Sequence, residues 1–289
     1  MTQPAATLLG VIAILLWGSL ALLTTLTGRI PPFQLTAMTF SIAALIAIGK
    51  WIVLRQSPQK ILRQPWRVWL VGIGGLFGYH FFYFTALKKA PAAEASLISY
   101  LWPLLLVLFS GLLPGEKLRW FHIAGAGIAF LGAATLFVQH SFELGNAASL
   151  GYMAALVCAF IWSGYSVLSR GFREVPSDII GGFCAATAIL ALICHRLTEL
   201  LVWPIEGATW VAIVALGAGP VGFAFFAWDV GMKRGDIRLL GVLSYVAPAL
   251  STVLLIGFGQ AVPSWTIVIG CILIVGGASL AALDKLKII

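Results

Sequence analysis

Aromatic side chains with polar edges, together with hydroxyl groups and an imidazole, interrupt the long apolar runs of this chain. They are Trp17, Tyr79, His80, Tyr83, Ser99, Tyr100, Trp102, Trp162, Tyr165, Trp228, Ser244 and Tyr245. Indole and phenol rings stack on apolar groups and attract cations over their faces, and hydroxyl and imidazole groups exchange hydrogen bonds. These residues therefore predict the lining of a cavity that binds a small molecule. Tight helix packing is the alternative interpretation.

Helical spacing places some of these side chains together. Tyr79 and Tyr83 are one turn apart and share a helix face, as do Ser99 and Pro103 on the following helix. His80 lies about midway along its apolar run. A histidine at that depth is either a hydrogen-bonded core residue or a site for substrate or protons.

Two prolines stand near the centres of apolar runs, at Pro103 and Pro248. Proline has no N–H and its ring clashes with the carbonyl four residues earlier, so each helix should bend there. The carbonyls of Ser99 and Ser244 then lose their usual donors, which lipid cannot replace. We predict hinges at both prolines, with a packing kink as the alternative.

The elements that must position these residues are membrane-spanning helices. Hydrophobic residues form 61% of the chain and charged residues only 10%, against about 25% charged in soluble domains. The uncharged runs are long and continuously apolar, which favours helices of roughly 20 residues over alternating barrel strands. We predict an all-α integral membrane protein with ten transmembrane helices, at 5–27, 33–54, 66–87, 91–113, 118–139, 147–170, 178–203, 208–232, 236–258 and 264–284.

An internal repeat has a constant offset of 145 residues. At this offset Trp17 matches Trp162, Pro31 matches Pro176, and the Ser-Tyr-x-x-Pro string that begins at Ser99 recurs at Ser244. Five helices are an odd number, so the second copy must start on the opposite side of the membrane. The sequence predicts two inverted five-helix repeats, 1–143 and 144–289, with the binding site at their interface near the midplane.

Glycines seven residues apart recur in the fifth and tenth predicted helices, at Gly125 and Gly132 and at Gly270 and Gly277. Each set gives its helix a smooth face, and small residues let membrane helices approach closely. We predict a packing or dimer face there. Near span ends, Glu94 has Lys88 and Lys89 as candidate partners or guards an exit, and Asp229 is spaced to pair with a lysine one turn later.

Basic residues are distributed unevenly between the loops. Fourteen of the 18 Lys and Arg residues fall on one side of the predicted topology, which the positive-inside rule assigns to the cytoplasm. Both termini are then cytoplasmic. The net charge of +8 is explained by this rim, so we expect no nucleic-acid partner.

Sequence motifs for catalysis or metal binding are not found. The cysteines lie singly within spans, and there is no P-loop and no HExxH pair. We expect no metal and no cofactor. A membrane-embedded enzyme would need converging carboxylates or a nucleophile with its base, and a scaffold or receptor would not need an inverted repeat. Both are weaker interpretations than a carrier.

The chain resembles the EamA branch of the drug/metabolite transporter superfamily. The resemblance rests on Trp17-Gly18 and Trp162-Ser163, on the Lys88-Lys89-Ala90-Pro91 end of helix three, and on the mid-helix prolines of helices four and nine. Within the branch, the segments 79–87 and 99–103 resemble aromatic amino-acid exporters. The resemblance implies an exporter of aromatic or large neutral amino acids in a bacterial inner membrane.

Alternating access is the mechanism expected of such a protein, with amino acids and lipid as its partners. Facilitated transport is favoured over proton coupling, because His80 is the one deep residue that titrates near neutral pH. A carrier of another metabolite or drug is the alternative. Phosphorylated substrates are disfavoured, since no Lys or Arg lies deep in a span. The oligomeric state is left open, and a monomer is compatible with this architecture.

Overall fold

The computed structural model describes residues 2–110, 119–138, 147–169, 172, 174–235, 240 and 243–281. Within these residues the fold is helical. The helices are α1 (Gln3–Gly18), α2 (Leu20–Leu26), α3 (Pro32–Val53), α4 (Pro58–Leu62), α5 (Trp66–Lys89), α6 (Ala92–Ser99), α7 (Trp102–Ser110), α8 (Trp120–Val138), α9 (Ala147–Ser169), α10 (Ile179–Thr198), α11 (Gly207–Ala218), a π-helix (Gly219–Phe223), α12 (Ala224–Arg234), α13 (Val246–Gly257) and α14 (Trp265–Ala281).

Six helical segments of the described chain are long and apolar enough to cross a membrane. Shorter apolar helices follow at Trp120–Gly132, Val246–Gly257 and Trp265–Gly277. The outer surface carries large apolar side chains, such as Leu45, Val53 and Leu197, which are more than half exposed. Lipid contact explains this surface, because water would make so many exposed apolar groups unfavourable. The long segments are Gln3–Leu26, Pro32–Val53, Trp66–Lys89, Ala148–Ser169, Ile179–Thr198 and Gly207–Gly231.

Four predicted spans are interrupted, one of them the ninth, at a turn formed by residues 244–245. The first breaks at Ser19, between α1 and α2, and the fourth breaks at the turn Tyr100–Leu101, just before Pro103. The eighth contains the π-helix, which the sequence does not predict. Such insertions are often found at functional sites. The interruptions of the first, fourth and eighth spans lie beside a small cavity.

The seventh predicted span, 178–203, is too long. Helix α10 ends at Thr198, and Glu199 has extended backbone angles. The carboxylate of Glu199 accepts hydrogen bonds from the backbone N–H groups of Phe33 and Gln34, each over 3.0 Å. These are otherwise unpaired donors in the first turn of α3. The chain therefore leaves the helix at residue 199 to cap a neighbouring helix.

The opposite end of the same helix pair is also linked. Lys50, near the end of α3, forms an ion pair with Asp178, which precedes α10, and the side-chain amide of Gln56 donates to the other oxygen of that carboxylate. Helices α3 and α10 are thus antiparallel and joined at both ends. This pairing holds two elements that are 145 residues apart in sequence.

The predicted glycine faces of helices five and ten pack against each other within the chain. A Cβ atom at Gly277 would lie 2.5 Å from the carbonyl oxygen of Gly125, and one at Gly132 would lie 3.1 Å from that of Gly270. Helices α8 and α14 therefore approach through these positions. The prediction of a packing face is confirmed.

Candidate functional site

A small cavity lies where the interruptions of the first, fourth and eighth spans meet. Its volume is about 20 Å³, which is room for one or two water molecules. Its walls come from the α1/α2 junction, α5, the α6/α7 turn, α9 and α12. The lining residues are Trp17, Leu20, Tyr79, His80, Tyr100, Trp102, Trp162 and Phe225.

Trp17 stands at the centre of the aromatic cluster. Its ring centroid lies 5.0 Å from that of Trp228, 5.7 Å from that of Trp162 and 5.9 Å from that of Phe225. Trp102 contacts Trp162 and Trp228 edge-on at 6.4 Å. These separations are those of rings in direct contact. The rings therefore leave little free space in the described conformation, and they must separate before a ligand larger than water can be held.

Hydrogen bonds tie the helix interruptions to this cluster. The indole N–H of Trp17 donates to the carbonyl oxygen of Pro220, within the π-helix, over 3.1 Å. The hydroxyl of Tyr100 donates to the carbonyl oxygen of Trp17 over 2.9 Å. Each bond joins segments far apart in sequence, and each uses a backbone carbonyl next to a break in regular helix. The breaks thus supply acceptors that a continuous helix would have used internally.

The break before Pro103 is stabilised from another helix. The hydroxyl of Ser163, on α9, shares its one hydrogen between the carbonyl oxygens of Trp102, at 2.9 Å, and Ala159, at 2.7 Å. Pro103 itself cannot donate to the carbonyl of Ser99. Pro248 occupies the corresponding place near the start of α13, after a turn at residues 244–245. The structure thus places both prolines immediately after breaks in regular helix.

His80 is almost fully buried and makes contacts with aromatic rings on several sides. Its Nδ1 lies 3.0 Å from the carbonyl oxygen of Leu76. A carbonyl only accepts, so this nitrogen carries the hydrogen, and in the neutral ring Nε2 carries the lone pair. The imidazole centroid lies 4.8 Å from that of Phe40 and 5.6 Å from that of Phe225. These contacts restrict the ring, which forms part of the cavity lining.

The predicted site residues divide into three groups. Six line the cavity directly: Trp17, Tyr79, His80, Tyr100, Trp102 and Trp162. Three form a second layer of rings: Tyr83 stacks on Tyr79 at 5.5 Å, Tyr165 contacts Trp162 at 5.1 Å, and Trp228 contacts Trp17.

The remaining three predicted residues lie outside the cavity lining. The hydroxyl of Ser99 donates to the carbonyl of Ser96, and that of Ser244 donates to the carbonyl of Leu240. Both serines therefore bond to their own chain segments. Tyr245 packs against Val275.

Leu20 and Phe225 line the cavity but were not predicted from the sequence. Both are purely apolar, so their residue types carry no signal of a site. Position carries one: Leu20 is one turn beyond Trp17, and Phe225 occupies the place of His80 at the 145-residue offset. Helical spacing could therefore have identified Leu20, and the repeat could have identified Phe225.

The lining contains no carboxylate, lysine or arginine. The charged groups discussed above lie nearer the helix ends. Glu94, in the first turn of α6, is buried and accepts a hydrogen bond from the hydroxyl of Tyr152. The ammonium group of Lys88 donates to the hydroxyl of Thr27 and the carbonyl of Gly28. Lys233 is the lysine expected to pair with Asp229, and its side chain lies outside the described part of the structure.

Metal binding finds no support in the part of the chain that the structure describes. No group of three or more His, Cys, Asp or Glu side chains is arranged there to hold an ion. The cavity thus offers aromatic faces, indole donors and a few neutral acceptors. Such a lining suits a ligand without net charge that has an apolar or aromatic part.

This chain is similar to known transport proteins along nearly its whole length. The aromatic amino acid exporter YddG of Ancylobacter novellus is 56% identical over 285 residues, covering 98% of this chain and 99% of the relative. The exporter of the same name from Escherichia coli is 28% identical, with 97% of each chain covered. A solved crystal structure with 55% sequence identity matches 99% of both chains with a TM-score of 0.78. The EamA-like transporter family matches residues 4–138 and again 149–283. This chain therefore belongs to the EamA-like transporter family, and it is a membrane transporter rather than an enzyme.

Proposed function

We propose that this protein exports amino acids, aromatic or large neutral ones first, across the bacterial inner membrane by alternating access. The observation that carries the proposal is the near full-length match, at 56% identity, to a protein named as an aromatic amino acid exporter. The uncharged aromatic lining of the cavity supports it independently. A zwitterion has no net charge, so its two charged groups need hydrogen-bond partners but no excess of buried charge of one sign.

The small size of the cavity supports a transport cycle in which the central site enlarges to bind substrate. A cavity of about 20 Å³ cannot hold an amino acid, so the walls must move apart to admit one. We propose that Pro103 and Pro248 act as the hinges, because helices bend most readily where the backbone ladder is already interrupted. Substrate binding would then be followed by opening to the other side.

An arrangement of ten transmembrane helices in two inverted repeats, 1–143 and 144–289, is part of this proposal. The two family matches begin at residues 4 and 149, which is the offset found within the sequence. Helix packing follows the same symmetry: α5 packs on α9 and α12 packs on α1, and these two pairs exchange under the offset. Inverted repeats allow two related conformations that open to opposite sides. Both termini would lie in the cytoplasm, on the side with 14 of the 18 basic residues.

Facilitated transport without proton coupling is the proposed energetics. The cavity lining has one imidazole, that of His80, and no carboxylate, so it offers no second acid–base group with which His80 could exchange a proton near neutral pH. A carrier for another small metabolite or drug is the second candidate. It is favoured only by the low specificity of an aromatic lining, which accepts any apolar group of suitable size.

Uptake into liposomes tests the function. Purified protein is reconstituted and the entry of radiolabelled L-phenylalanine, L-tryptophan and L-leucine is measured, with and without a pH gradient. We expect saturable uptake that Trp102→Ala and Tyr100→Ala reduce and that the gradient does not change. Folded protein that moves none of these amino acids would contradict the exporter assignment, and gradient-dependent uptake would contradict the facilitated mechanism.

A further inference from the structure

The two halves of the chain contribute chemically different side chains to the cavity. Among its lining residues, three side chains can accept a hydrogen bond, namely Tyr79, His80 and Tyr100. All three precede residue 144 and belong to the first half of the chain. The second half contributes Trp162 and Phe225, whose side chains have no acceptor atom.

The 145-residue offset shows how this asymmetry arises. Phe225 occupies the position of His80, and Ala224 occupies that of Tyr79. Tyr245 corresponds to Tyr100, but it packs against Val275 outside the lining. Two halves with the same helix order therefore contribute differently to one cavity: all three side-chain acceptors come from the first half. We call these three side chains the polar wall.

His80 has the most sharply defined acceptor on the polar wall. Its Nδ1 hydrogen is committed to the carbonyl of Leu76, which leaves the lone pair on Nε2. Contacts with Phe40, Phe84 and Phe225 hold the ring. The hydroxyl of Tyr100 already donates to Trp17 and so offers only its lone pairs. The polar wall can thus accept hydrogen bonds that a ligand donates.

An amino acid can donate such hydrogen bonds through its α-ammonium group. A buried ammonium without hydrogen-bond acceptors is strongly unfavourable, and the second half of the lining has none. Resting on the proposed function, we infer that the amino acid binds in one orientation. The ammonium faces Tyr79, His80 and Tyr100, with Nε2 of His80 accepting one of its hydrogens, and the side chain packs on Trp162 and Phe225.

Inhibition of L-phenylalanine uptake by three probes tests this orientation. L-Phenylalanine has both polar groups, 2-phenylethylamine has only the ammonium, and 3-phenylpropionate has only the carboxylate. The variants are His80→Phe, which keeps a ring and removes the acceptor, and His80→Gln, which keeps an acceptor. The double variant His80→Phe/Phe225→His exchanges two rings that are in contact and so places the imidazole at the second-half position. His122→Gln, at a buried histidine of α8 that is not part of the lining, is the matched control.

We expect His80→Phe to raise the half-inhibitory concentrations of L-phenylalanine and 2-phenylethylamine about 10- to 100-fold, the effect of one charge-assisted hydrogen bond. The half-inhibitory concentration of 3-phenylpropionate should change less than about threefold, because this probe has no ammonium group and so does not lose the bond. His80→Gln should recover most of the loss. The double variant should recover none of the loss. His122→Gln should leave the half-inhibitory concentrations of all three probes unchanged.

The ratio of the half-inhibitory concentrations of 2-phenylethylamine and 3-phenylpropionate within one variant does not depend on how much protein is folded. An equal shift for all three probes would overturn the inference, as would recovery in the double variant. Wild-type protein that does not transport L-phenylalanine would instead contradict the proposed function. The two failures are therefore distinguishable.

Discussion

The indole N–H of Trp17 donates to the carbonyl oxygen of Pro220 over 3.1 Å, across 203 positions of sequence. This bond joins the end of α1 to the π-helix of the eighth span, and both groups are buried. The carbonyl is an acceptor that the π-helix leaves available to another element. The aromatic cavity and the irregular backbone around it are therefore parts of one hydrogen-bonded unit.

Trp17→Phe should destabilise the protein by about 1–3 kcal/mol, because a buried carbonyl loses its donor. Thermal unfolding in detergent measures the change. Trp66→Phe is the matched control, since Trp66 is 69% exposed at the start of α5 and should shift the midpoint little. Equal midpoints for Trp17→Phe and wild type would show that the bond to Pro220 contributes nothing.

Tyr152→Phe should also destabilise the protein, by about 1.5–3 kcal/mol, because the buried carboxylate of Glu94 loses a hydroxyl donor. The pair joins α9 to the first turn of α6, so it links the two halves of the chain. A double-mutant cycle with Glu94→Gln isolates the interaction. Strictly additive effects in that cycle would argue that the two side chains are not coupled.

Gly277→Val should disrupt the packing of α14 on α8, since even a Cβ atom would lie 2.5 Å from the carbonyl oxygen of Gly125. We expect a loss of at least about 1–3 kcal/mol from overpacking and a lower yield of folded protein. Gly276→Val is the control next to it, because a Cβ there meets nothing within 4 Å. If both variants behave alike, the close approach of the two helices is not needed for stability.

Pro103→Ala should slow transport more than it weakens binding. Alanine restores an N–H that can bond to the carbonyl of Ser99, so the break between α6 and α7 is favoured less. The turnover rate and the binding affinity for L-phenylalanine are measured separately. Pro263→Ala, in the loop before α14, serves as the control for a general proline effect. A normal turnover rate in Pro103→Ala would argue against a hinge at this position.

The sequence by itself determined the class of the protein and much of its outline. Long uncharged runs permit only helices in a bilayer, because every backbone polar group must be satisfied internally. The repeat and its offset were visible in Trp17 and Trp162, and the break of the fourth helix followed from the missing N–H of Pro103. Six of the cavity residues were also named, since buried indole, phenol and imidazole groups need partners.

Tertiary structure decided which of those groups meet and which do not. Ser99 and Ser244 had equally good nearby acceptors on their own segments and used them. The end of α10 depended on Glu199 reaching two backbone N–H groups of α3, a contact that no local pattern encodes. Phe225 joined the cavity through packing alone. Residues 145 or more positions apart have several possible partners, and the packing of the helices decides which of them they contact.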